Sequence, residues 1–426
     1  MTEIKPFKGT RYNSKLVDPS VVVAPPYDVI NEAQQEMLYK KHPYNTIRLI
    51  LGKQHDDDNE KNNRYTRARK FIDEWTQSNV LIRDSAPSIY LYVQKFTIHG
   101  KAYERHGFVT LMRLESDIYT HEKTLAKPKE DRFELMKACE GNMSPIFVLY
   151  DDEKRCVECI TISPAIHTLI AHIKEGDEEH FFYRITDEKI INTVQKLLSD
   201  QRVYIADGHH RYETAIRYRD YMFSQHGKNE QASYNYVLAY FTNISDQGLV
   251  ILPTHRIVHE VPYTEEEFIK KLKPVFDVKL FGSTMDKTAI HDWEKEIERS
   301  GKACGVRFYG TDNLYILYNY RQNSLKNDPT PEALKSLDVF ILNKEILEGI
   351  LNIPESTFST GGRLSYFHEL DTALTSMKPG DVAFVLNAPS AKDVKAVALK
   401  GLNMPQKTTF FYPKLLSGLV FHMFNP

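Results

Sequence analysis

The sequence predicts an α+β, or mixed α/β, fold from three observations. Helical spacing is present, for example over residues 64–77, where Ala68, Ile72 and Trp75 recur on one face. Short apolar runs of strand length are also present, such as IFVLY at 146–150. The two kinds of element alternate without the regular βαβ spacing of a doubly wound parallel sheet, so we expect a mixed rather than a doubly wound architecture.

The elements follow in order from local patterns. Residues 21–23 predict a short buried strand that stops at the two prolines that follow, because proline lacks an N–H group and fixes φ. Alternation over 89–98, then His99-Gly100 and a second apolar run over 107–114, predict a hairpin. The same periodicities predict the remaining elements, namely helices over 188–199, after residue 208, over 264–273 and near 337–351, and strands over 202–206, within 234–258 and over 382–387.

The composition argues against a general nucleic-acid binder. The 426 residues are 42% hydrophobic and 26% charged, as in ordinary folded proteins. Lys and Arg number 55 against 57 Asp and Glu, which gives a formal charge of −2. Nucleic-acid binders generally have a basic excess, so no nucleic-acid partner is expected.

The cysteines and the apolar runs indicate a cytoplasmic protein without membrane association. The four scattered cysteines do not form a disulfide framework. Cys156 and Cys159 form a lone CxxC, which lacks both a second pair for zinc and the context of a thioredoxin-like motif. The sequence shows no signal-like apolar region and no run near the roughly 20 apolar residues that cross a bilayer.

The strongest signal for chemistry lies in the sequence DGHHR, where a predicted strand meets a predicted helix. The unsatisfied N–H groups and the dipole of a helix N-terminus attract anions, and Gly208 has no Cβ to block a phosphate. Arg211 offers a fork of donors, while Asp207, His209 and His210 can move or hold a proton. The alternative is a helix cap with two surface histidines and an ion-paired arginine.

This stretch resembles the phosphate-binding corner of the ParB/sulfiredoxin-like superfamily. The superfamily includes CTP-binding ParB proteins, ATP-using sulfiredoxins and free serine kinases that use ADP, and the resemblance covers residues 202–217. It implies that Gly208, His209, His210 and Arg211 are phosphate ligands. His209 stands where sulfiredoxins have their catalytic cysteine, which argues against sulfinic-acid repair, and free serine kinases share the DGHHR form most closely.

Over nearly its full length the chain is also similar to a bacterial and archaeal family of unknown function, domain-of-unknown-function family 1015. The family supplies no reaction, although its association with serine biosynthesis favours serine or phosphoserine as a substrate. The matching stretches are APPYDVI (24–30), HPYNTIRL (42–49), HEKTLAKPKEDR (121–132), NMSPIF (142–147), ADGHHRYETA (206–215), LPTHRIV (252–258) and MPQKTTFFYPKLLSGLV (404–420).

Two of these stretches contain further candidates for acid–base work or anion binding. His121 and Glu122 precede a predicted helix on which Lys129 and Arg132, three residues apart, share one face. Glu122, or Asp28 on its loop, could accept a hydroxyl proton. A capped, ion-paired helix start is the alternative for the segment 121–132.

The last candidates lie in the C-terminal half. His255 ends a strand-like run, where alternation puts it and Arg256 on opposite faces, and a core-edge histidine is the alternative to substrate binding. Lys407, Thr408 and Lys414 lie between or beside prolines and suit phosphate or carboxylate, with a solvated basic turn as the alternative.

These observations predict a phosphoryl-transfer enzyme, a kinase or a phosphatase, that acts on a small hydroxy amino acid or its phosphate. We expect ATP or ADP as the nucleotide, Mg²⁺ entering with it, and no metal held by the protein alone. A nucleotide-binding regulatory protein of the ParB type and a nuclease are the alternatives. The expected division is a ParB/sulfiredoxin-like catalytic or nucleotide-binding region over 1–259, a second α/β region over 260–375, and a C-terminal strand and basic loop over 376–426 that returns to the site.

Overall fold

The computed structural model describes residues 2–114, 118–122, 126–163, 167–284, 286–321, 329–358 and 362–424, with side chains from Lys129 onward in the helix that begins at Ala126. In chain order the strands are β1 (Ile4–Lys5), β2 (Thr10–Tyr12), β3 (Leu81–Arg83), β4 (Ile89–Ile98), β5 (Lys101–Arg113), β6 (Gly141–Asn142), β7 (Ile146–Tyr150), β8 (Thr168–Glu175), β9 (Glu178–Ile185), β10 (Val203–Asp207), β11 (Tyr236–Asn243), β12 (Val250–Leu252), β13 (His255–Val258), β14 (Asp277–Ser283), β15 (Cys304–Phe308), β16 (Asn313–Tyr318), β17 (Leu364–Phe367), β18 (Val382–Leu386), β19 (Phe410–Tyr412) and β20 (His422–Met423).

The α-helices are α1 (Pro19–Val22), α2 (Glu32–Lys41), α3 (Ile47–Ile50), α4 (Arg64–Gln77), α5 (Ala126–Cys139), α6 (Cys156–Thr161), α7 (Glu188–Ser199), α8 (His209–His226), α9 (Glu265–Leu272), α10 (Lys287–Arg299), α11 (Glu332–Lys335), α12 (Asp338–Ile341), α13 (Leu370–Ser376) and α14 (Ala391–Leu399). A π-helix (Leu342–Ile350) continues α12, and 3-10 turns occur at Tyr27–Val29, Ser233–Asn235 and Glu355–Thr357. The predicted mixed α/β class is confirmed.

The chain folds into two compact units. The first consists of Met1–Thr120, Thr124–Val250 and Pro413–Pro426, and the second of His121–Lys123 and Ile251–Tyr412. The division predicted from the sequence, with boundaries after residues 259 and 375, differs from these two units. That these regions are separate domains stays a prediction.

The first unit is built on a sheet with strand order β10-β7-β11-β5-β4-β9-β8, in which β1 also pairs with β5. Neighbouring strands are antiparallel except β7 and β11, which run parallel. Helices α5, α7 and α8 bury apolar side chains against it, with Phe133, Val194 and Tyr212 in the same core. Because β10 and α8 are consecutive, the sheet edge and this helical layer fix the position of the loop between them.

Two local results concern sequence predictions in the first unit. The strand predicted at residues 21–23 is wrong, because Asp18 accepts the Ser20 N–H at 2.9 Å and Pro19 opens a short helix, α1. Of the C-terminal segment predicted to return over 376–426, only Pro413–Pro426 belongs to the first unit, whereas residues 376–412 belong to the second. Strand β20 pairs with β6, with His422 opposite Asn142.

The second unit is an antiparallel sheet with strand order β14-β16-β15-β18-β13-β17. Helices α10 and α13 supply Trp293, Ile297 and Leu370 to its core. Strand β13 lies between β17 and β18, so both of its neighbours satisfy its backbone groups and its side chains are buried.

Candidate functional site

The site begins where the edge strand β10 ends and α8 starts. The pairing of β10 with β7 is irregular between Ile205 and Asp207, which redirects the carboxylate at the strand end. Gly208 is the N-cap of α8 with φ 90°, and as a glycine it has no side chain of its own to cap the helix. A Cβ on Gly208 would lie 3.0 Å from the Arg211 guanidinium, so glycine serves both the left-handed backbone and the close approach of Arg211.

Asp207 lies between two cations. Its Oδ2 accepts a hydrogen bond from Arg211 Nη2 at 3.0 Å, and its Oδ1 lies 3.5 Å from Lys414 Nζ. Burial raises the pKa of Asp207, but Lys414, Arg211 and His209 outweigh burial and hold that pKa below its ordinary value. Asp207 is therefore ionised at neutral pH and orients two cations.

A cavity of about 40 Å³ adjoins this ion pair within the first unit. Its walls include Tyr27, Arg132, Ser144, Arg211 and Thr214. The Arg132 guanidinium lies 4.0 Å from the centre of the Tyr27 ring, and burial raises the pKa of the Tyr27 hydroxyl to about 12. The cavity thus has two guanidinium groups and several hydroxyl donors on its walls.

Arg132 is held in place by its neighbours on and beside α5. Its Nη1 donates to the Ile50 carbonyl at 2.6 Å and its Nε donates to Asp131 at 2.8 Å. Asp131 also accepts from Arg64 and Tyr65. Although burial raises the pKa of Asp131, Arg132 and its other donors lower it overall, so this carboxylate is a structural anchor.

The balance of charge in this cluster is positive. Arg64, Arg132, Arg211 and Lys414 give four positive charges, against two negative charges from Asp131 and Asp207. The exposed Asp28, next to Tyr27 in the 3-10 turn, leaves the sum positive when it is included. An excess of cations around buried donors suits an anionic ligand.

The structure brings together several of the residues predicted from the sequence. Asp207, Gly208, His209, Arg211 and Lys414 meet at the corner. Arg132 lines the adjoining cavity, whereas Lys129 forms an ion pair with Glu213 of α8 at 3.0 Å. His210 is half-buried in the first turn of α8.

Other predicted residues belong to the second unit. His121 is buried, and its carbonyl accepts the Met404 N–H at 2.6 Å next to a bridge between Glu122 and Met404. Lys407 is exposed with φ 56°, and the buried Thr408 donates to the Pro405 carbonyl.

His255 also lies in the second unit, on β13. Its Nδ1 accepts the Leu386 N–H at 3.3 Å, and burial lowers its pKa to about 4. The imidazole is consequently neutral at pH 7 and is packed in the interior of the unit.

Sequence reasoning did not single out Tyr27, Ser144 or Thr214 as site residues. Tyr27 lies within APPYDVI and Ser144 within NMSPIF, two of the stretches that carry the family resemblance. The resemblance therefore marked both segments, but neither residue type indicated a chemical role. The carbonyl of Pro145, which accepts from Arg211 Nη1, has no signature of its own.

Among the described residues, no group of three or more His, Cys, Asp or Glu side chains is arranged to hold a metal ion. Both oxygens of Asp207 face cations, so this carboxylate is engaged by Arg211 and Lys414. None of the helices in the described part of the chain has the length and apolar character of a membrane span.

A family model described as "Protein of unknown function (DUF1015)" matches residues 4–340. The chain belongs to this family. The match spans both β10 and the start of α8, so the corner is part of the family's region. No curated protein sequence matches the chain.

The chain is similar to several solved structures, of which three are described next. A free serine kinase in complex with ADP is 12% identical with a TM-score of 0.36, over 71% of this chain and 87% of the other. A conserved hypothetical protein from Pyrococcus furiosus is 15% identical with a TM-score of 0.34, over 74% and 95%. SbnI from Staphylococcus aureus, with a C-terminal truncation, is 12% identical with a TM-score of 0.35, over 73% and 86%.

These TM-scores are all below 0.5, so none of the three similarities decides the fold or the activity. The ParB/sulfiredoxin-like assignment of the N-terminal part stays a prediction from the DGHHR stretch. The membership of the family predicted from the sequence is confirmed by the family model.

Proposed function

We propose that the first unit binds the phosphate groups of a nucleotide or a phosphorylated small molecule at the N-terminus of α8 and serves phosphoryl transfer. The observation that carries the proposal is the set of donors around Gly208. These are the first N–H groups of α8 behind its glycine N-cap, the Arg211 guanidinium and the Lys414 ammonium group. Helix N–H groups and positioned cations are the means by which proteins hold a phosphoryl group.

Each residue at the corner has a proposed role. Arg211 and Lys414 bind phosphate oxygens, and Asp207 positions both of them. Gly208 lets the backbone approach the phosphate, and Arg132 extends the positive wall through the adjoining cavity. His209 and His210, in the first turn of α8, are the proposed donors of a proton or hydrogen bond to the phosphate.

Activation of the acceptor hydroxyl needs a base other than Asp207, whose pKa is held too low for proton transfer at neutral pH. Asp28 is the proposed base within the first unit, because it is exposed and adjoins Tyr27 on the cavity wall. Glu122, the other base suggested by the sequence, belongs to the second unit.

A bound nucleotide would supply the phosphoryl group that is transferred. Arg211, Lys414 and the first N–H groups of α8 are the groups that would hold its phosphates. Since Asp207 is engaged by cations, the proposal contains no step through a Mg²⁺ ion held by the protein alone. Serine and phosphoserine are the first substrates to test, because the DGHHR stretch resembles free serine kinases most closely.

The test uses the full chain with serine plus ATP or ADP, and with phosphoserine in the presence and absence of ADP. Phosphorus NMR follows every phosphorylated species. We expect phosphate to move between nucleotide and serine, or from phosphoserine to water if the protein is a phosphatase. The absence of phosphate movement in every mixture would refute the substrate assignment.

Calorimetry with ADP and inorganic phosphate tests the binding site separately from turnover. We expect Arg211→Met to weaken binding by about thirtyfold or more, since a charge-assisted contact is lost. Arg217→Met is the matched control, because Arg217 lies on the same helix but is exposed and pairs with Glu130 at 2.6 Å. Equal affinity in the Arg211 variant and the parent would show that the phosphate lies elsewhere.

A nucleotide-binding regulatory protein is the second candidate. The specific observation in its favour is that the corner carboxylate is locked between cations and so is suited to binding rather than to proton transfer. Tight binding of CTP, ATP or ADP without turnover of any phosphate would favour this function over an enzyme.

A further inference from the structure

A second cavity lies entirely within the second unit and has no part in the function proposed above. Its volume is about 230 Å³, larger than a cavity of about 150 Å³ that accommodates benzene. Polar side chains on its wall include Thr254, Arg256, Lys302, Asp338, Asn387 and Thr408.

Arg256 is the central feature of this cavity. It lies on β13 between β17 and β18, its side chain is buried, and only 2% of the residue is exposed. Its Nη1 donates to the Thr254 carbonyl at 2.6 Å, and its Nη2 lies 3.4 Å from the Lys407 carbonyl. Burial lowers the pKa of Arg256 to about 10, so the guanidinium keeps its charge at neutral pH.

In the part of the chain that the structure describes, no carboxylate balances the charge of Arg256. Among the described residues, no carboxylate lies within 4.0 Å of this guanidinium. Burial of a cation is costly unless an anion accompanies it, and two carbonyls use only part of the five N–H donors of an arginine. The remaining donors and the uncompensated charge point to an anion supplied by a ligand.

The other charges on the cavity wall indicate what else that ligand carries. Asp338, half-buried at the start of α12, accepts a hydrogen bond from Asn387 Nδ2 at 3.3 Å, and burial raises its pKa to about 6. Asp393 also lines the cavity, and Lys302 is exposed. With Arg256 and Lys302 these carboxylates give no net charge, so a doubly charged phosphate would leave both carboxylates facing added negative charge.

We propose that this cavity binds a small zwitterion of amino-acid size, with its carboxylate on Arg256 and its ammonium group at Asp338. A free amino acid matches both signs of charge and the volume. The hydroxyl groups of Thr254 and Thr408 supply further hydrogen-bonding groups on the wall. The site is a second binding site, and it stands whether or not the first unit transfers phosphate.

The test is calorimetry of the full chain with each of the common amino acids, followed by the N-acetyl and amide forms of whichever binds best. Inorganic phosphate is the probe for an anion alone. We expect one amino acid to bind with one-to-one stoichiometry, and each blocked form to bind about tenfold more weakly or worse. Binding of phosphate in place of every amino acid, or no binding at millimolar concentrations, would overturn the proposal.

Variants assign the binding to this cavity. Arg256→Met and Asp338→Asn should each weaken binding by about tenfold or more. Because asparagine has nearly the same shape as aspartate, Asp338→Asn still tests the site if Arg256→Met fails to fold. Arg307→Met is the matched control, because Arg307 is half-buried on β15 of the same sheet, outside the cavity wall. This variant should bind as the parent does. Arg211→Met should also bind as the parent does, whereas loss of binding in that variant would place the amino acid in the first unit and refute this site.

Discussion

At the scale of single residues, the corner depends on how its cations are oriented. Asp207 is about one-fifth exposed, with 21% of its side chain accessible, yet both of its oxygens face positive groups. A carboxylate in this position lowers the net positive charge of the site, but it fixes the orientation of the Arg211 and Lys414 side chains. We interpret Asp207 as a positioning residue rather than as a proton acceptor.

Gly208 gives the sharpest prediction at this scale. In Gly208→Ala the new Cβ would lie 3.0 Å from the Arg211 guanidinium, so the guanidinium must shift by a few tenths of an ångström. We expect affinity for ADP and inorganic phosphate to fall about tenfold, measured by calorimetry. The left-handed backbone adds about 1–2 kcal/mol of destabilisation, measured by chemical unfolding.

Gly227→Ala is the control for that prediction. Gly227 is the C-cap of the same helix, has φ 78°, and has nothing within 4 Å of an added Cβ. It should lose at least as much stability, because φ 78° with ψ 164° is a conformation that essentially only glycine adopts. It should keep the parent's affinity for phosphate. Equal affinities for phosphate in the two variants would contradict the role assigned to the Gly208–Arg211 contact.

At the scale of elements, α5 presents its basic residues to different surroundings. The sequence placed Lys129 and Arg132 on one helical face. The structure directs Lys129 to Glu213 of α8 and Arg132 to the Ile50 carbonyl and the Tyr27 ring. Helix packing, rather than spacing along α5, therefore decides which of the two lines the cavity.

Substitution of each residue by methionine separates these two positions. Lys129→Met should leave affinity for phosphate within about twofold of the parent, because it removes only a surface ion pair. Such a pair contributes about 1 kcal/mol or less, and it contributes to stability rather than to phosphate binding. Arg132→Met should weaken phosphate binding by about tenfold, because it removes a guanidinium from the cavity wall. Calorimetry checks both, and a larger loss of binding in the Lys129 variant would assign the phosphate to the α5–α8 surface instead.

At the scale of the whole molecule, each unit contains a buried neutral histidine that makes it sensitive to acid. Burial lowers the pKa of His422 in the first unit and of His255 in the second to about 4, from an ordinary value of 6.5. As the pH falls, the unfolded chain therefore protonates these histidines at a higher pH than the folded chain does. Each histidine contributes stability that is complete above about pH 6.5 and is lost as the pH falls towards 4, up to about 3 kcal/mol.

The expected result is a fall in the free energy of unfolding of about 2 kcal/mol per histidine between pH 7 and pH 5. Urea unfolding measures it, with the two units followed as separate transitions where they resolve. His422→Gln and His255→Gln should each reduce the pH dependence by that amount, while His226→Gln, at an exposed site, should leave it unchanged. An unchanged slope in both buried variants would contradict the assignment.

The sequence alone determined the mixed α/β class, the family and the corner at DGHHR, since these depend on periodicity and on residue types that are neighbours along the chain. It predicted α4, α7 and β7 at their observed bounds for the same reason. Only the tertiary structure decided that Lys414 meets Asp207 and that Tyr27 and Ser144 share a cavity with Arg211. It also decided that Arg256 is buried with no carboxylate of the described residues within 4.0 Å. Those contacts join residues far apart in the chain, and their geometry is fixed by packing, which no local pattern encodes.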